Sequence, residues 1–203
     1  DIADMWIHES FTAYAESVFV ECEFGKKEAI TYLYGLRKII ANDSPIIGEY
    51  GLNHEGSGDM YYKGANMLNT LRSIINNDTK WWKLLKEFHE TFKYKTIHTD
   101  DVIGFYNDRT EFNLQPIFDQ YLKHKAIPEL QLKFDDTNQL YMRWKTDVEN
   151  FEIPIDFQNS TEKAIQREVL SNKWKLVKIK LNTIEELAIN KYGYYINIIK
   201  INE

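Results

Sequence analysis

The sequence predicts an α+β fold in which a helical part comes first and a small all-β sandwich domain follows. Up to about Leu122 the apolar residues recur at helical spacing, whereas after Pro128 they alternate with a period of two. Hydrophobic residues make up 43% of the 203 residues, which is enough for a substantial core. Because the pattern changes between these two stretches, we expect a helical domain at 1–126 and a β-sandwich domain at 127–203.

About six helices are expected in the first domain. The first helix carries an apolar stripe on one face, and Gly25 ends it. The stripe consists of Ile7, Phe11, Tyr14, Val18 and Cys22. Its pattern predicts a core position for Cys22. The second helix is expected at 26–41 and must stop before Pro45, which cannot continue a helix.

Polar residues mark the starts of the later helices, and a glycine-rich loop precedes them. The loop, at 46–59, leads directly into Tyr61 and is expected to be irregular. Asp78, Thr99 and Asn113 are predicted to cap three of the helices that follow.

Short apolar runs at intervals of about ten residues predict the β domain. They lie at 130–134, 140–145, 151–157, 165–170, 174–181 and 194–201. Pro154 lies inside one of them and indicates a sheet edge or a bulge, because proline cannot donate a ladder hydrogen bond.

Composition excludes several classes of function. The chain has 25 Lys and Arg against 31 Asp and Glu, so its net charge of −6 argues against nucleic-acid binding. One cysteine excludes an internal disulfide and a thiolate zinc cluster, so a metal would need His, Asp or Glu ligands. No apolar run approaches the roughly 18 residues of a membrane span. The chain starts at Asp1 without a leader pattern, so we expect it to come from a longer protein, and the compartment stays open.

Common catalytic motifs are absent from the sequence. Three His-Glu dipeptides occur, but none continues into H-E-x-x-H, which would place two zinc ligands one helical turn apart. There is also no G-x-S-x-G elbow, no P-loop and no G-x-G-x-x-G fingerprint. The residues alone therefore give no complete catalytic site.

Three segments do occur in an informative order. Residues 4–16 (DMWIHESFTAYAE) resemble the segment D-L-W-L-N-E-G-F-A-x-Y-x-E of the zinc aminopeptidases of the aminopeptidase N type, which are gluzincin metallopeptidases. Residues 61–68 (YYKGANML) resemble the family segment Y-x-K-G-A-x-x-L, and residues 118–122 (FDQYL) resemble F-D-Q-W-L. The resemblance covers essentially the whole chain. It implies the helical C-terminal portion of a thermolysin-like catalytic domain followed by a small β domain.

The resemblance also implies roles for two residues. Glu9 would be a zinc ligand beside the two histidines of an upstream H-E-x-x-H, a donor set that leaves a fourth position for water. Tyr61 would be the catalytic tyrosine, since a neutral phenol can hydrogen-bond a developing oxyanion. By the residues alone, Glu9 could equally be a first-turn glutamate favoured by the helix dipole, and Tyr61 an aromatic residue packed at a helix start.

Several neighbouring residues have less specific interpretations. Glu16 lies seven positions after Glu9 on the same helical face, so it could support that ligand or be a solvated charge. His54, Glu55 and Asp59 could touch substrate or form a solvated polar loop.

The remaining matches and departures concern the shape of the site. In the matching segments Lys63 is interpreted as structural, and Gly64 as permitting a close helix approach. His8, Ser10 and Thr12 stand where the family has Asn, Gly and Ala. His8 points about 100° away from Glu9 around the helix, so it is not expected to be a ligand.

The resemblance implies a parent enzyme that uses zinc to hydrolyse N-terminal peptide bonds of peptide substrates with a free N-terminus. We expect this chain alone to be inactive and not to hold zinc, because the H-E-x-x-H ligands and base are missing. Apolar surface exposed where the missing N-terminal part of the catalytic domain docks would favour self-association. The alternative is a non-catalytic helical and β-sandwich module that binds proteins or glycans.

Overall fold

A computed structural model describes residues 1–136, 139–162, 164–181 and 184–201. Within these residues the helices come first and the strands follow, which confirms the α+β fold with a small β domain after a helical part. The α-helices are α1 (Met5–Phe24), α2 (Lys26–Leu36), α3 (Tyr62–Ile75), α4 (Asp78–Phe92), α5 (Thr99–Asn107) and α6 (Gln115–Lys123). The strands are β1 (Glu129–Phe134), β2 (Leu140–Lys145), β3 (Ile153–Asn159), β4 (Gln166–Leu170), β5 (Lys175–Val177), β6 (Leu187–Ile189) and β7 (Asn197–Lys200).

The strands form two small sheets. One has the order β5-β2-β1-β7, with β7 parallel to β1, and the other has the order β4-β3-β6. In the first sheet Leu130 pairs with Trp144 and Leu132 with Met142, and all four side chains are buried. The alternating apolar positions therefore face the core, as a half-buried strand requires. The sandwich arrangement of the sheets and the boundary at residue 126 stay predictions.

Pro154 lies on the central strand of the smaller sheet. It faces Val169 of β4, but β6 pairs with β3 only at its far end, from Phe157 to Asn159. On the side of β6, none of the described residues pairs with Pro154 in the ladder, so this position is a local sheet edge, where proline is tolerated.

Helix α1 ends at Gly25, as the sequence predicted. Gly25 has φ +94°, a backbone conformation that favours glycine. On the predicted stripe Ile7 and Tyr14 are buried, but Cys22 is exposed, so its expected core position is wrong. Residues 22–24 are all exposed, and the periodicity of a helix does not show where its cover ends.

The ends of the other helices differ from prediction by a few residues. Helix α2 ends at Leu36 and continues as a 3₁₀ turn at Arg37–Ile39, and the backbone N–H groups of Ala41 and Asn42 donate to Asp59 instead of continuing the helix. Asn77 caps α4 through its side-chain oxygen, so Asp78, the predicted cap, is the first helical residue. Likewise, the cap positions of α5 and α6 are His98 and Leu114 rather than Thr99 and Asn113.

Helix α3 lies at the centre of the molecule. Every residue from 63 to 72 is buried, which is typical of a helix covered on all sides. One continuous apolar core includes side chains of the helices and of both sheets. Among the described helices, none combines the length and the apolar character that a membrane span needs.

Candidate active-site residues

Glu9 and Tyr61 are far apart in the sequence but lie together in the structure. Glu9 is half-buried on α1, and Tyr61 occupies the N-cap position of α3 and is 41% exposed. The Tyr61 phenol lies close enough to the Glu9 carboxylate for that carboxylate to raise the pKa of the phenol. The crossing of α1 and α3 therefore joins the two residues that the resemblance singles out.

The surroundings of Tyr61 favour its neutral form. Partial desolvation raises its pKa above the ordinary value of 10.0, and the nearby Glu9 carboxylate raises the pKa further. Glu55 and Tyr62 act in the same direction. At neutral pH the phenol therefore keeps its proton and can donate it in a hydrogen bond.

The turn before Tyr61 is fixed by a buried carboxylate. Asp59 accepts the backbone N–H of Ala41 at 2.9 Å and that of Asn42 at 2.6 Å. Both oxygens are thus occupied, so Asp59 is a structural residue rather than a solvated or substrate-facing one. His54 and Glu55, in the same loop, are exposed.

Lys63 anchors the first turn of α3. Its side chain is 0% exposed, and its ammonium donates to the backbone oxygens of His124 at 2.8 Å and of Lys125 at 2.9 Å. Burial lowers the pKa of Lys63 to about 8. These contacts support the structural role expected for this lysine, because they tie α3 to the segment that leads into β1.

Gly64 allows α1 and α3 to approach closely. A Cβ atom at this position would lie 1.8 Å from the Oγ of Ser10, which is far inside van der Waals contact. The Ser10 hydroxyl also donates to the Met60 carbonyl at 2.7 Å. The close approach inferred from the sequence is therefore present, and it brings Glu9 near Tyr61.

Glu16 and His8 lie on exposed parts of α1. Glu16 accepts a hydrogen bond from the Tyr32 hydroxyl at 2.6 Å, and this bond is the main reason why the pKa of Tyr32 rises to about 12. Of the two interpretations of Glu16, a surface charge with a local partner therefore fits this geometry better. His8 is exposed.

Asp4 is a buried structural residue whose contacts sequence reasoning missed. It is buried just before α1 and accepts hydrogen bonds from the Tyr50 hydroxyl at 2.6 Å and from His98 Nδ1 at 2.8 Å. Thr99 donates to it through both its backbone N–H and its hydroxyl. Burial raises the pKa of Asp4, but the hydrogen bonds outweigh this effect and leave it lowered. The sequence feature that could have pointed to Asp4 is the aspartate directly before the first helix.

The described residues do not form a zinc site by themselves. Among them, no group of three or more His, Cys, Asp or Glu side chains could hold a metal ion. A catalytic zinc site uses three protein ligands, and Glu9 is one carboxylate. Its donor chemistry suits one of those positions, but this chain's residues do not fit zinc without ligands from elsewhere.

An open groove of about 780 Å³ runs along α1 beside the end of α4. Its apolar lining includes Phe11, Val18, Phe88 and Phe92, which are only partly buried. Phe19, also on α1, is 62% exposed. This side of α1 therefore carries more exposed apolar surface than a covered helix does.

Comparison with known proteins gives the family. A sequence model described as the peptidase family M1 domain matches residues 2–121, which is more than half of the chain. The structure is similar to the crystal structure of Legionella pneumophila aminopeptidase A in complex with aspartic acid, with a TM-score of 0.61 and 15% identity. The match covers 100% of this chain and 25% of that one, so this chain spans about a quarter of its length. No curated protein sequence matches. The family match, over the residues that hold Glu9 and Tyr61, shows that the chain belongs to peptidase family M1.

Proposed function

We propose that this chain is the part of a zinc metallo-aminopeptidase that supplies Glu9 as a metal ligand and Tyr61 as a catalytic hydrogen-bond donor. The observation that carries the proposal is the proximity of these two side chains where α1 and α3 cross closely, near enough for the Glu9 carboxylate to raise the pKa of Tyr61. Membership of peptidase family M1 supports a hydrolase parent. The aminopeptidase of similar fold supports the same reaction class.

The two residues have different tasks in this proposal. Zinc bound in such a site would lower the pKa of a bound water and polarise the carbonyl of the peptide. The Glu9 carboxylate would contribute one of its ligands. The neutral Tyr61 phenol donates to the carbonyl oxygen as that oxygen gains negative charge, and the raised pKa of Tyr61 keeps the donor protonated at neutral pH.

The remaining machinery would come from outside this sequence. The resemblance implies that an H-E-x-x-H segment supplies two histidine ligands and the general base, and that the substrates are peptides with a free N-terminus. One carboxylate cannot hold zinc in a catalytic geometry. We therefore expect the isolated chain to be inactive and free of zinc.

The apolar groove along α1 is the surface on which we place the missing N-terminal part of the catalytic domain. Phe11 and Phe88 line the groove, their rings stacked with centroids 4.8 Å apart, and the nearby Phe19 is 62% exposed. Covering these side chains would remove apolar surface from water. Left uncovered, they would favour self-association of the isolated chain.

The proposal is tested with two variants of the complete protein that carries this sequence. Glu9→Gln should lose bound zinc, measured by elemental analysis, and with it the release of N-terminal residues from peptides. Tyr61→Phe should keep zinc but lose about 10²–10³-fold in kcat, because one oxyanion donor is removed.

Tyr62→Phe is the matched control, since it removes the hydroxyl of the adjacent tyrosine and should leave kcat unchanged. Full turnover by Tyr61→Phe, or unchanged zinc content in Glu9→Gln, would contradict the assigned roles. A complete protein that never binds zinc would favour the non-catalytic binding module instead.

A further inference from the structure

Ser10 connects the two segments that carry Glu9 and Tyr61. It follows Glu9 directly on α1, and its hydroxyl donates to the carbonyl of Met60, the residue directly before Tyr61, at 2.7 Å. Its side chain is 0% exposed. A single buried hydrogen bond therefore links the immediate neighbours of both site residues.

The other anchors of this turn lead to different parts of the molecule. Asp59 binds the backbone of residues 41–42, and Lys63 binds the backbone of residues 124–125. Neither of those segments carries Glu9 or Tyr61. The hydrogen bond from Ser10, by contrast, connects the turn to the helix that carries Glu9. It therefore affects the distance between the Glu9 and Tyr61 side chains.

The packing around Ser10 leaves little freedom for this bond to shift. A Cβ atom on Gly64 would lie 1.8 Å from the Ser10 Oγ and 2.5 Å from its Cβ, so the serine side chain fills the space that glycine leaves open. The resemblance places glycine at the position of Ser10. A glycine there has no hydroxyl to donate to the Met60 carbonyl, so this contact distinguishes the present chain from that pattern.

We propose that Ser10 is a positioning residue of this site, whose hydrogen bond to the Met60 carbonyl sets where the Tyr61 phenol lies relative to Glu9. The consequence for catalysis rests on the proposed function. The positioning itself does not, and it can be measured without activity. Removing the hydroxyl leaves a buried carbonyl without this donor, and the turn must then move or admit water.

The test places 3-fluorotyrosine at position 61 of the complete protein and records its ¹⁹F NMR resonance at pH 7. Ser10→Ala and Ser10→Gly should displace or broaden this resonance, because the ring changes its position against Glu9. Ser17→Ala is the matched control. Ser17 is also a buried serine of α1, 3% exposed, but its hydroxyl donates to Tyr14 within the same helix at 2.7 Å. An unchanged spectrum in Ser10→Ala, or an equal change in Ser17→Ala, would overturn the proposal.

A double variant separates positioning from packing. In Ser10→Gly combined with Gly64→Ala, the new methyl group occupies the emptied space at 3.3 Å from the Cα of residue 10. Thermal stability should recover relative to Ser10→Gly alone, whereas the resonance of residue 61 should stay displaced. A return of the resonance to its wild-type position would show that packing alone orients Tyr61, and the proposal would fail.

Kinetics then connect the positioning to the reaction. Ser10→Ala should lower kcat roughly 10- to 100-fold and leave KM nearly unchanged, as expected when a catalytic group is misplaced by a fraction of an ångström. A displaced resonance in a protein without peptidase activity would support the positioning and refute the proposed function. An active protein in which Ser10→Ala changes neither the resonance nor kcat would refute the positioning and leave the proposed function standing.

Discussion

The two ends of α3 are held in different ways. At the N-terminal end Tyr61 is 41% exposed and lies near the Glu9 carboxylate. Toward the C-terminal end, polar side chains of α3 donate hydrogen bonds to the segment at 191–195. Asn69 donates to the Gly193 carbonyl at 3.2 Å, and Ser73 donates to the same carbonyl at 2.7 Å.

The C-terminal end of α3 therefore contributes mainly to stability, and the N-terminal end carries the candidate site. A buried polar group costs free energy when it loses its partner, so the junction with 191–195 resists change and fixes the helix in place. A partly exposed phenol and carboxylate keep hydrogen-bonding capacity for a ligand. The side chains of Glu9 and Tyr61 are partly exposed, whereas hydrogen bonds of Ser10, Asp59 and Lys63 fix the backbone around Tyr61. Variants at the two ends should therefore differ in what they damage.

The largest loss of stability is expected from Arg167→Met at the C-terminal end. Arg167, on β4, pairs with Asp156 at 2.7 Å and donates to the carbonyls of Ser73 and Ile74 in the last turn of α3. Asp156 is mostly buried, so the variant leaves its charge without the paired cation and removes the Arg167 donor from the Ile74 carbonyl. The free energy of unfolding should fall by about 3–5 kcal/mol, measured by urea denaturation.

Lys175→Met is the control for that experiment. Lys175 pairs with Glu168 at 2.6 Å, but both side chains are exposed. Its loss should cost less than about 1 kcal/mol. Equal losses of stability in the two variants would show that the contacts of Arg167 with α3 and Asp156 stabilise the protein no more than an exposed ion pair does.

The next largest effect is expected at the crossing of α1 and α3. Gly64→Ala should lower the free energy of unfolding by about 1–3 kcal/mol or more, because the new methyl group overlaps the Ser10 side chain. Gly104→Ala, in α5, introduces the same methyl group where no atom lies within 4 Å, so it should raise stability by about 0.5–1 kcal/mol. Thermal denaturation measures both changes. A destabilisation by Gly104→Ala, or a stabilisation by Gly64→Ala, would contradict the prediction.

The third effect depends on pH and concerns Lys63. Its pKa is about 8 in the folded state, below the ordinary 10.5, so between these values the unfolded chain binds more protons than the folded one. The charged form is therefore penalised below pH 8, and the free energy of unfolding should rise by about 1–2 kcal/mol between pH 7.5 and 9.5. Lys63→Met lacks this titration. If the free energy of unfolding of the two proteins, measured by urea denaturation, changed with pH in the same way, burial would not lower the pKa of Lys63.

The sequence predicted what local pattern determines. Gly25 ends α1 because its backbone conformation requires glycine, and the change from helical to alternating spacing located the β domain. The resemblance singled out Glu9 and Tyr61, which the fold brings together. Gly64 was identified as a point of close approach, although not the side chain that lies against it.

The errors and omissions concern contacts that arise only after folding. Cys22 fits the apolar stripe of α1, yet it is exposed, because periodicity carries no information about which part of a helix its neighbours cover. Asp4 and Ser10 bind partners that are distant in the sequence, at Thr99 and Met60. Neither residue belongs to a motif that specifies such a partner, so only the tertiary structure shows their roles.

The smallest effect is expected from Glu16→Gln, which tests whether this carboxylate supports Glu9 or only pairs on the surface. Because Glu16 is exposed and binds Tyr32, the free energy of unfolding should change by less than about 0.5 kcal/mol. The pKa of Tyr32 should fall from about 12 toward its ordinary 10.0, because the hydrogen bond to a carboxylate is what stabilises its neutral form. Ultraviolet titration against a Tyr32→Phe reference measures that shift. Zinc content and kcat of the complete protein should stay the same. A drop in zinc affinity would instead mean that the charge of Glu16 reaches Glu9 along α1, and the exposed face of this helix would then belong to the site.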